Sequence, residues 1–447
     1  MMKTTGATAQ RGHCFAAAAA LLTLLAGDTG RAVEFAPSVT LSAVVTTLLT
    51  FLWVLLTVTL PLFRDADDSL PGKHAEFIHG GAPKNRKRHT SAAWVHVILW
   101  MFMCWTVLDT ALQNFTVQGA QNLACYFLFV STVLLVASCA RSGDAHRFSR
   151  AVIAVGWARA GIYAVDLMRF GFGAQGVFAA RSFAIEATLI MAVAIPLSRG
   201  SGWAARLLPY ALFVEVVFSG SRTAMVVAGL LLACAPLCST SGARRVRYLL
   251  RMSVVAAAGY AGLMHIQVLH DRFFTGDMVP VEGAVVNVSG RDLLWSVVSD
   301  HAADSPWVGF GGGSATNFVR QFVRTSGEPH NDWLRIWHDF GLVGLGLWVI
   351  CFFGLIARCA LLARRNAGRN ARPHYAALLA LLATGVVMIT DNILIYYYAM
   401  LPLGAVVGLS IADKDATDSA GAAQPRTEQR VAPEKGEGVP VLSSSSV

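Results

Sequence analysis

Long apolar runs separated by shorter polar segments are the dominant pattern of the sequence. A helix needs about 20 mostly apolar residues to cross the ~30 Å hydrocarbon core of a bilayer. Twelve runs approach or exceed that length, and they lie at 14–27, 38–60, 91–109, 121–140, 151–169, 183–198, 204–219, 223–240, 248–266, 333–357, 375–391 and 394–411. The pattern predicts an all-α integral membrane protein with about twelve transmembrane helices, in which residues 1–411 form one polytopic domain.

The two ends of the chain have different characters. The first run, 14–27, is short and alanine-rich and follows Lys3 and Arg11, which is also the pattern of a signal peptide. No convincing small-residue cleavage site follows it, so we interpret it as an uncleaved first helix. The stretch 412–447 is rich in Ala, Gly, Ser and charged residues and predicts a disordered tail.

The distribution of basic residues predicts the orientation of the chain. Hydrophobic residues make up 55% of the sequence and charged residues only 14%, while the net charge is +9. Of the 36 lysines and arginines, 26 fall in one alternating set of the segments between runs, including both termini. Because positive charge favours the cytoplasmic side, both termini are predicted to be cytoplasmic. The basic residues are thus topology anchors, and nucleic acid is not an expected partner.

Motifs for metal, disulfide or nucleotide chemistry are missing from the sequence. The eight cysteines all lie within or at the edges of apolar runs, with no C-x-x-C pair and no zinc spacing. The glycine cluster at Gly309 and Gly311 to Gly313 is not followed by Gly-Lys-Ser/Thr, so it is not a nucleotide-binding P-loop. It fits either a tight turn or backbone amides offered to an anion, with Gly311 as the candidate ligand.

The interval 267–332 is the largest polar segment between runs, and the orientation places it on the outward side. Ser289 followed by Asp292 approximates a helix-capping box. Leucines and valines then recur at helical spacing over 293–298, which predicts short helices lying on the bilayer. The interval carries Arg291 and ends at His330, just before a run.

Arginines on the outward side oppose the general charge bias, which makes them informative. Arg222 lies between two runs, seven residues after Glu215, and Arg291 lies in the polar interval. An isolated outward arginine is usually a snorkelling anchor, but a charged pair near the interior of a bundle is usually functional or a buried salt bridge. Arg159, inside a run and seven residues before Asp166, leaves the same two alternatives open.

His330 is the candidate general base. It follows Pro329 and precedes Asn331, immediately before a run. His338 and Asp339 are rivals for the same role, and His301 is a weaker candidate. Arginines bind phosphate oxygens with two parallel hydrogen bonds, and a histidine can activate a sugar hydroxyl. Two arginines and a histidine without a metal or nucleotide motif therefore fit glycosyl transfer from a lipid diphosphate to a hydroxyl group.

The same residues resemble the O-antigen ligase and polymerase superfamily, bacterial inner-membrane glycosyltransferases of the GT-C type. The matching motifs are S-R at 221–222, S-G-R with a Trp four residues later, W-V-G-F-G, H-N-D and D-F-G-L-V-G-L-G-L. The resemblance implies that Arg222 and Arg291 hold the diphosphate of an undecaprenyl-linked glycan, and that His330 deprotonates the acceptor. It also implies anomeric inversion without metal or cofactor. Further substrate contacts are expected from Arg159, Glu215, Gly311, Asn331, Arg335 and His338.

Three functions remain open at this point. A polymerase of exopolysaccharide or O-antigen repeat units is favoured, because His-Asn-Asp followed by Leu-Arg resembles polymerase members more than ligases. The alternatives are a ligase that transfers finished glycan to lipid A–core and a non-catalytic polysaccharide exporter. The expected partners are an undecaprenyl-diphosphate-linked oligosaccharide, a glycan acceptor, membrane lipid and other polysaccharide assembly or export proteins.

Overall fold

A computed structural model gives the structure of the protein. It describes residues 34–36, 39–40, 44, 48, 93–113, 115–140, 144–197, 202–235, 242–265, 267–270, 278–281, 284–287, 291–322, 327–366 and 370–423.

Helices account for nearly all of the described residues. They are α1 (Ala93–Gln113), α2 (Val117–Cys139), α3 (Asp144–Phe170), α4 (Ala180–Leu197), α5 (Trp203–Phe218), α6 (Arg222–Cys234), α7 (Gly242–His265), α8 (Gln267–His270), α9 (Arg291–Asp304), α10 (Ser314–Phe322), α11 (Asp332–Arg365), α12 (Arg372–Val387) and α13 (Tyr397–Ala423), with a 3₁₀ turn at Ile393–Ile395. Two short antiparallel hairpins pair β1 (Glu34–Ala36) with β2 (Val39–Thr40) and β3 (Met278–Val281) with β4 (Ala284–Asn287).

The predicted class, a helical multi-pass membrane protein, agrees with this architecture. Within the described part of the chain, five helical segments are long and apolar enough to cross a membrane: His96–Gln113, Val117–Ser138, Asp144–Phe170, Ala180–Leu197 and Asp332–Arg365. Arg222–Cys234 and Tyr397–Ala412 are shorter apolar helices. Twelve spans remain a prediction.

Three boundaries differ from the predicted ones. The predicted span 14–27 and nearly all of 38–60 lie outside the described residues, and Val39–Thr40 forms a strand rather than the start of a helix. The predicted span 248–266 is part of α7, which begins at Gly242 and has four arginines in its first ten residues. The helix α7 is not among the five apolar segments. The last helix ends at Ala423, beyond the predicted start of the tail at 412, and 424–447 lies outside the described residues.

Close helix packing in the centre of the bundle depends on small residues of α13. A Cβ at Gly404 would lie 2.9 Å from the carbonyl oxygen of Phe129, and one at Gly408 would lie 2.8 Å from that of Val133. Glycines four residues apart let two helix backbones approach closely in an apolar environment. Here they let α13 pack closely against α2.

A break in α11 receives the loop that joins α9 to α10. Gly341 has φ 65° and ψ −173°, which interrupts the helix and frees backbone groups on either side. Loop amides donate to the first part of α11, with Phe310 N to His338 O at 3.1 Å and Gly311 N to Asp339 O at 2.9 Å. In the opposite direction, Leu342 N donates to the carbonyl of Pro306 at 2.7 Å. These backbone hydrogen bonds hold the α9–α10 loop against α11 on both sides of the break at Gly341.

Substituting Gly341 with alanine is expected to detach this loop. A Cβ there would overlap the backbone carbonyl of Trp307, and alanine disfavours the positive φ. We expect the Gly341→Ala variant to have a lower thermal unfolding midpoint in detergent and faster proteolysis within residues 305–313. Gly346→Ala is the matched control, since no atom lies within 4 Å of a Cβ placed at that position. Equal midpoints and cleavage rates for the two variants would contradict the prediction.

Candidate active site

A polar cluster forms where α4, α6, α9 and α11 begin and α12 ends. Arg181, the second residue of α4, donates from Nε to Asp391 Oδ2 at 2.5 Å and from Nη2 to the carbonyl of Thr390 at 3.3 Å. Its Nη2 also lies 3.3 Å from His330 Nδ1. Asp391 is buried, and Tyr396 donates its hydroxyl to Asp391 Oδ1 at 3.2 Å. Arg181 thus links the carboxylate after α12 to the histidine before α11.

Two further arginines bring positive charge to the same place. Arg291 is the first residue of α9 and Arg222 the first residue of α6. Burial, the charge of Arg181 and, to a smaller extent, the charge of Arg222 lower the pKa of Arg291 to about 10, while Asp391 opposes the shift. Arg291 stays protonated at neutral pH because this value is far above 7. Arg291 thus interacts with Asp391 and with the charges of Arg181 and Arg222, and three guanidinium groups near this carboxylate leave an excess of positive charge that suits an anionic ligand.

The start of α6 is fastened to the end of α12 next to this cluster. The hydroxyl groups of Thr223 and Thr390 form a hydrogen bond across the two elements. Thr390 also accepts from Arg181 through its backbone carbonyl. The contact explains how Arg222, which is far from Arg181 in the sequence, reaches the same end of the bundle.

His330 has an unusual backbone conformation. It is the one described residue other than glycine with a positive φ, 52°. Trp295 of α9 donates from its indole nitrogen to the carbonyl of Pro329 at 2.9 Å, and Asn331 caps α11 by accepting from Leu334 N at 3.1 Å. Such conformations cost about 1–3 kcal/mol and persist only where the surroundings enforce them. These contacts hold the half-buried imidazole towards Arg181.

Asn331, predicted to bind substrate, therefore has a clear structural task as the helix cap. Arg335 and His338, also predicted to bind substrate, are fully buried. Arg335 pairs with the carboxylate of Asp332 one turn earlier and lies 3.4 Å from the hydroxyl of Tyr126. Asp332 in turn accepts from Leu394 N at 2.9 Å, which ties the start of α11 to the 3₁₀ turn after Asp391. The Asp332–Arg335 pair therefore stabilises the start of α11, which follows His330.

His338 belongs to a second, separate polar network. Its Nδ1 lies 3.1 Å from Ser314 Oγ and its Nε2 lies 2.9 Å from Nδ1 of His301, which stacks on Phe310. Ser314 donates its hydroxyl proton to Asp339 at 2.9 Å, so it accepts from His338. In the neutral state His338 is then protonated on Nδ1 and accepts from His301. Both rival histidines are occupied in docking the α9–α10 loop and the start of α10 onto α11.

The glycine cluster forms a tight turn whose amides are hydrogen-bonded within the protein. Every backbone N–H from 309 to 313 donates within the protein: Gly309 to Ser305, Phe310 to His338, Gly311 and Gly313 to Asp339, and Gly312 to Thr110. These hydrogen bonds favour the tight-turn alternative over the binding of an anion by Gly311. A peptide N–H has one hydrogen, and here it is already used.

Arg159 and Glu215 are the other two charged residues that the sequence suggests as substrate contacts. Arg159 is fully buried, pairs with Glu186 of α4 at 2.5 Å and covers the ring of Phe178 at 4.1 Å. It matches the buried salt-bridge alternative. Glu215 is half-buried on α5, and its Oε2 atom is buried without a hydrogen-bond partner among the described residues. Of the residues predicted from the sequence, the structure brings together Arg222, Arg291 and His330.

Sequence reasoning missed Arg181 and Asp391. The charge count puts Arg181 on the predicted outward side, but it stands just before an apolar run, where an anchoring residue looks the same. Asp391 closes the run 375–391, and a carboxylate at such a place was the available signal. The two residues are 210 positions apart, so their pairing is a product of the fold.

Comparison with known proteins agrees with the resemblance. Residues 210–349 match the family model described as O-Antigen ligase. No curated protein matches the chain. The family match confirms the resemblance to the O-antigen ligase and polymerase superfamily, and it supports a ligase- or polymerase-type, glycosyltransferase-like enzyme in surface polysaccharide biosynthesis. Lipid-linked glycan and acceptor are the substrates this family implies. Arg222, Arg291 and His330 fall within the matched segment, whereas Arg181 and Asp391 fall outside it.

Proposed function

We propose that the protein polymerises undecaprenyl-diphosphate-linked repeat units of an exopolysaccharide or O-antigen at the periplasmic face of the bacterial inner membrane. The observation that carries the proposal is the meeting of Arg181, Arg222 and Arg291 with His330 at one end of the helical bundle. The charge bias predicts that this end faces outward, where lipid-linked repeat units would be available. The family match within 210–349 supports the reaction class.

In the proposed reaction the arginines hold the diphosphate and His330 takes the proton of the acceptor hydroxyl. The acceptor oxygen forms a bond to the anomeric carbon while the bond from that carbon to the diphosphate oxygen breaks. The electron pair leaves with the undecaprenyl diphosphate, whose additional negative charge the guanidinium groups stabilise. Attack opposite the leaving group inverts the anomeric configuration. Arg159, Arg335 and His338 are left out of the substrate site because a fully buried side chain cannot contact a substrate in this conformation.

The family description favours one second candidate, a ligase that transfers finished glycan to lipid A–core. The material that accumulates in a deletion strain separates the possibilities. Loss of a polymerase leaves single lipid-linked repeats on the outer leaflet, whereas loss of a ligase leaves long polymer on the lipid carrier. Product retained inside the cell would indicate an exporter and overturn the enzymatic proposal.

Activity is expected to be independent of divalent metal. Three guanidinium groups supply the positive charge that a metal ion would otherwise provide to the leaving diphosphate. Purified protein given its lipid-linked substrate should therefore form product at the same rate with and without EDTA. A rate that falls with EDTA and returns on adding Mg²⁺ or Mn²⁺ would refute metal independence.

A further inference from the structure

An exposed apolar patch lies where the α9–α10 loop meets the break in α11. It consists of Trp307 and Val308 of the loop, which are 67% and 38% exposed, and Leu342 and Val343 of α11, which are 39% and 38% exposed. The backbone nitrogen of Val343 donates to the carbonyl oxygen of Trp307 at 3.2 Å, so the two halves of the patch are adjacent. A contiguous apolar patch on a protein surface marks a contact with another protein, a ligand or a membrane.

The apolar patch continues into one face of α11. Beyond Val343, exposed apolar side chains recur at helical spacing on this helix, at Ile350, Phe353 and Leu361. The helix belongs to the segments that are long and apolar enough to cross a membrane. In a bilayer this stripe of side chains would face hydrocarbon, and the apolar patch is its outward end.

The length of α11 places the apolar patch at the boundary of the hydrocarbon. After the break, the helix continues to Arg364 and Arg365 in its last turn, on the predicted cytoplasmic side. The helical rise from Leu342 to Arg364 is about 33 Å, close to the ~30 Å thickness of the hydrocarbon core. With the basic residues at one boundary, Leu342 and the neighbouring Trp307 lie at the other, where tryptophan is enriched in membrane proteins.

The contacts of α1 indicate the same depth independently. Gly312 N, in the α9–α10 loop, donates to Thr110 Oγ1 at 3.1 Å, and Thr110 lies within the apolar segment His96–Gln113. Trp105, one turn earlier in that segment, donates from its indole nitrogen to the carbonyl of Phe340 at 3.0 Å. The loop and the break in α11 therefore contact α1 within a segment that can cross the membrane, near its outward end.

We propose that Trp307 and Val308 insert into the hydrocarbon of the outer leaflet and anchor the end of α9 to the membrane. The helix α9 begins at Arg291 and ends at Asp304, shortly before Trp307. Anchoring one end of this short helix limits how far Arg291 can move from the bilayer surface, where the diphosphate of a lipid-linked substrate would lie. This consequence rests on the proposed function, whereas the insertion does not.

The insertion is tested by tryptophan fluorescence of the full-length protein in nanodiscs of phosphatidylcholine or of its dibrominated form. Bromine on the acyl chains quenches only the tryptophans close to it. The contribution of Trp307, one of 11 tryptophans, is the fluorescence that is lost in Trp307→Phe. We expect brominated lipid to quench most of this contribution and aqueous iodide to quench little of it. Trp100→Phe is the positive control, since Trp100 is 45% exposed within the apolar segment of α1.

Two results would overturn the insertion. Quenching of the Trp307 contribution by iodide rather than by brominated lipid would place the side chain in water. Quenching by neither would place it against a second copy of the chain or another protein.

The anchoring of α9 is tested by the polymer formed per unit of membrane-inserted protein in a deletion strain. Trp307→Glu puts a carboxylate at the hydrocarbon boundary and should lower polymer by at least about tenfold, whereas Trp307→Phe should keep it. The matched control is Ala303→Glu, because Ala303 is an exposed residue of α9 outside the apolar patch and next to the exposed Asp304. We expect this control to form polymer at the unsubstituted level.

Unsubstituted polymer from Trp307→Glu would refute the anchoring role. A deletion strain that makes normal polymer would instead refute the proposed function. The fluorescence measurement needs no turnover, so the insertion and the glycosyl-transfer proposal can fail separately.

Discussion

Replacing His330 with asparagine is expected to lower the rate of polymer formation by about 10²–10⁴-fold, the usual contribution of a general base. Asparagine is chosen because it tolerates the positive φ of this position better than most residues and keeps a hydrogen-bonding side chain. The loss can then be assigned to the missing proton acceptor rather than to the backbone. The measurement is polymer formed per unit of membrane-inserted protein, in a deletion strain carrying each variant.

The control for this experiment is His265→Asn. His265 is an exposed histidine at the end of α7 and belongs to neither polar network described above. We expect this variant to form polymer at the unsubstituted rate. Unsubstituted rates from the His330→Asn variant, with normal insertion, would remove His330 from the mechanism.

Removing Arg181 is expected to abolish polymer formation through two separable effects. Arg181→Ala takes away one of three guanidinium groups at the proposed diphosphate site, and loss of one charge-stabilising donor typically costs about 10²–10³-fold in rate. It also removes the guanidinium that is hydrogen-bonded to the buried carboxylate of Asp391, which should lower the thermal unfolding midpoint. The double variant Arg181→Ala with Asp391→Asn removes the unpaired charge.

The double variant distinguishes a binding role from a structural one. We expect it to recover most of the unfolding midpoint while polymer stays at least about 100-fold below the unsubstituted level. Arg320→Ala is the matched control, because Arg320 is an exposed arginine of α10 on the predicted outward side. Recovery of polymer together with stability in the double variant would show that Arg181 only supports the fold.

The sequence located part of the site because some of its residues break a local rule. Arg222 and Arg291 stand on the predicted outward side, which has few lysines and arginines, and His330 stands between a proline and a helix cap. Those signals need only neighbouring residues and the alternation of spans. Arg335 and His338 are also polar residues close to His330 in the sequence. Both are nevertheless buried, in networks that hold α11 and the α9–α10 loop. Charge and position in the sequence therefore did not distinguish a residue proposed to bind substrate from one that stabilises the fold.

What the sequence by itself determined is the class of the protein and the approximate positions of its helices. Spanning length and apolarity are properties of contiguous residues, because a helix satisfies its backbone hydrogen bonds within its own segment. The tertiary structure decided which polar groups meet: Arg181 with Asp391 and His330, Thr223 with Thr390, and the five amides of 309–313 with their acceptors. These contacts join helix ends up to 210 residues apart, and only the packing of one helix on another brings such ends together.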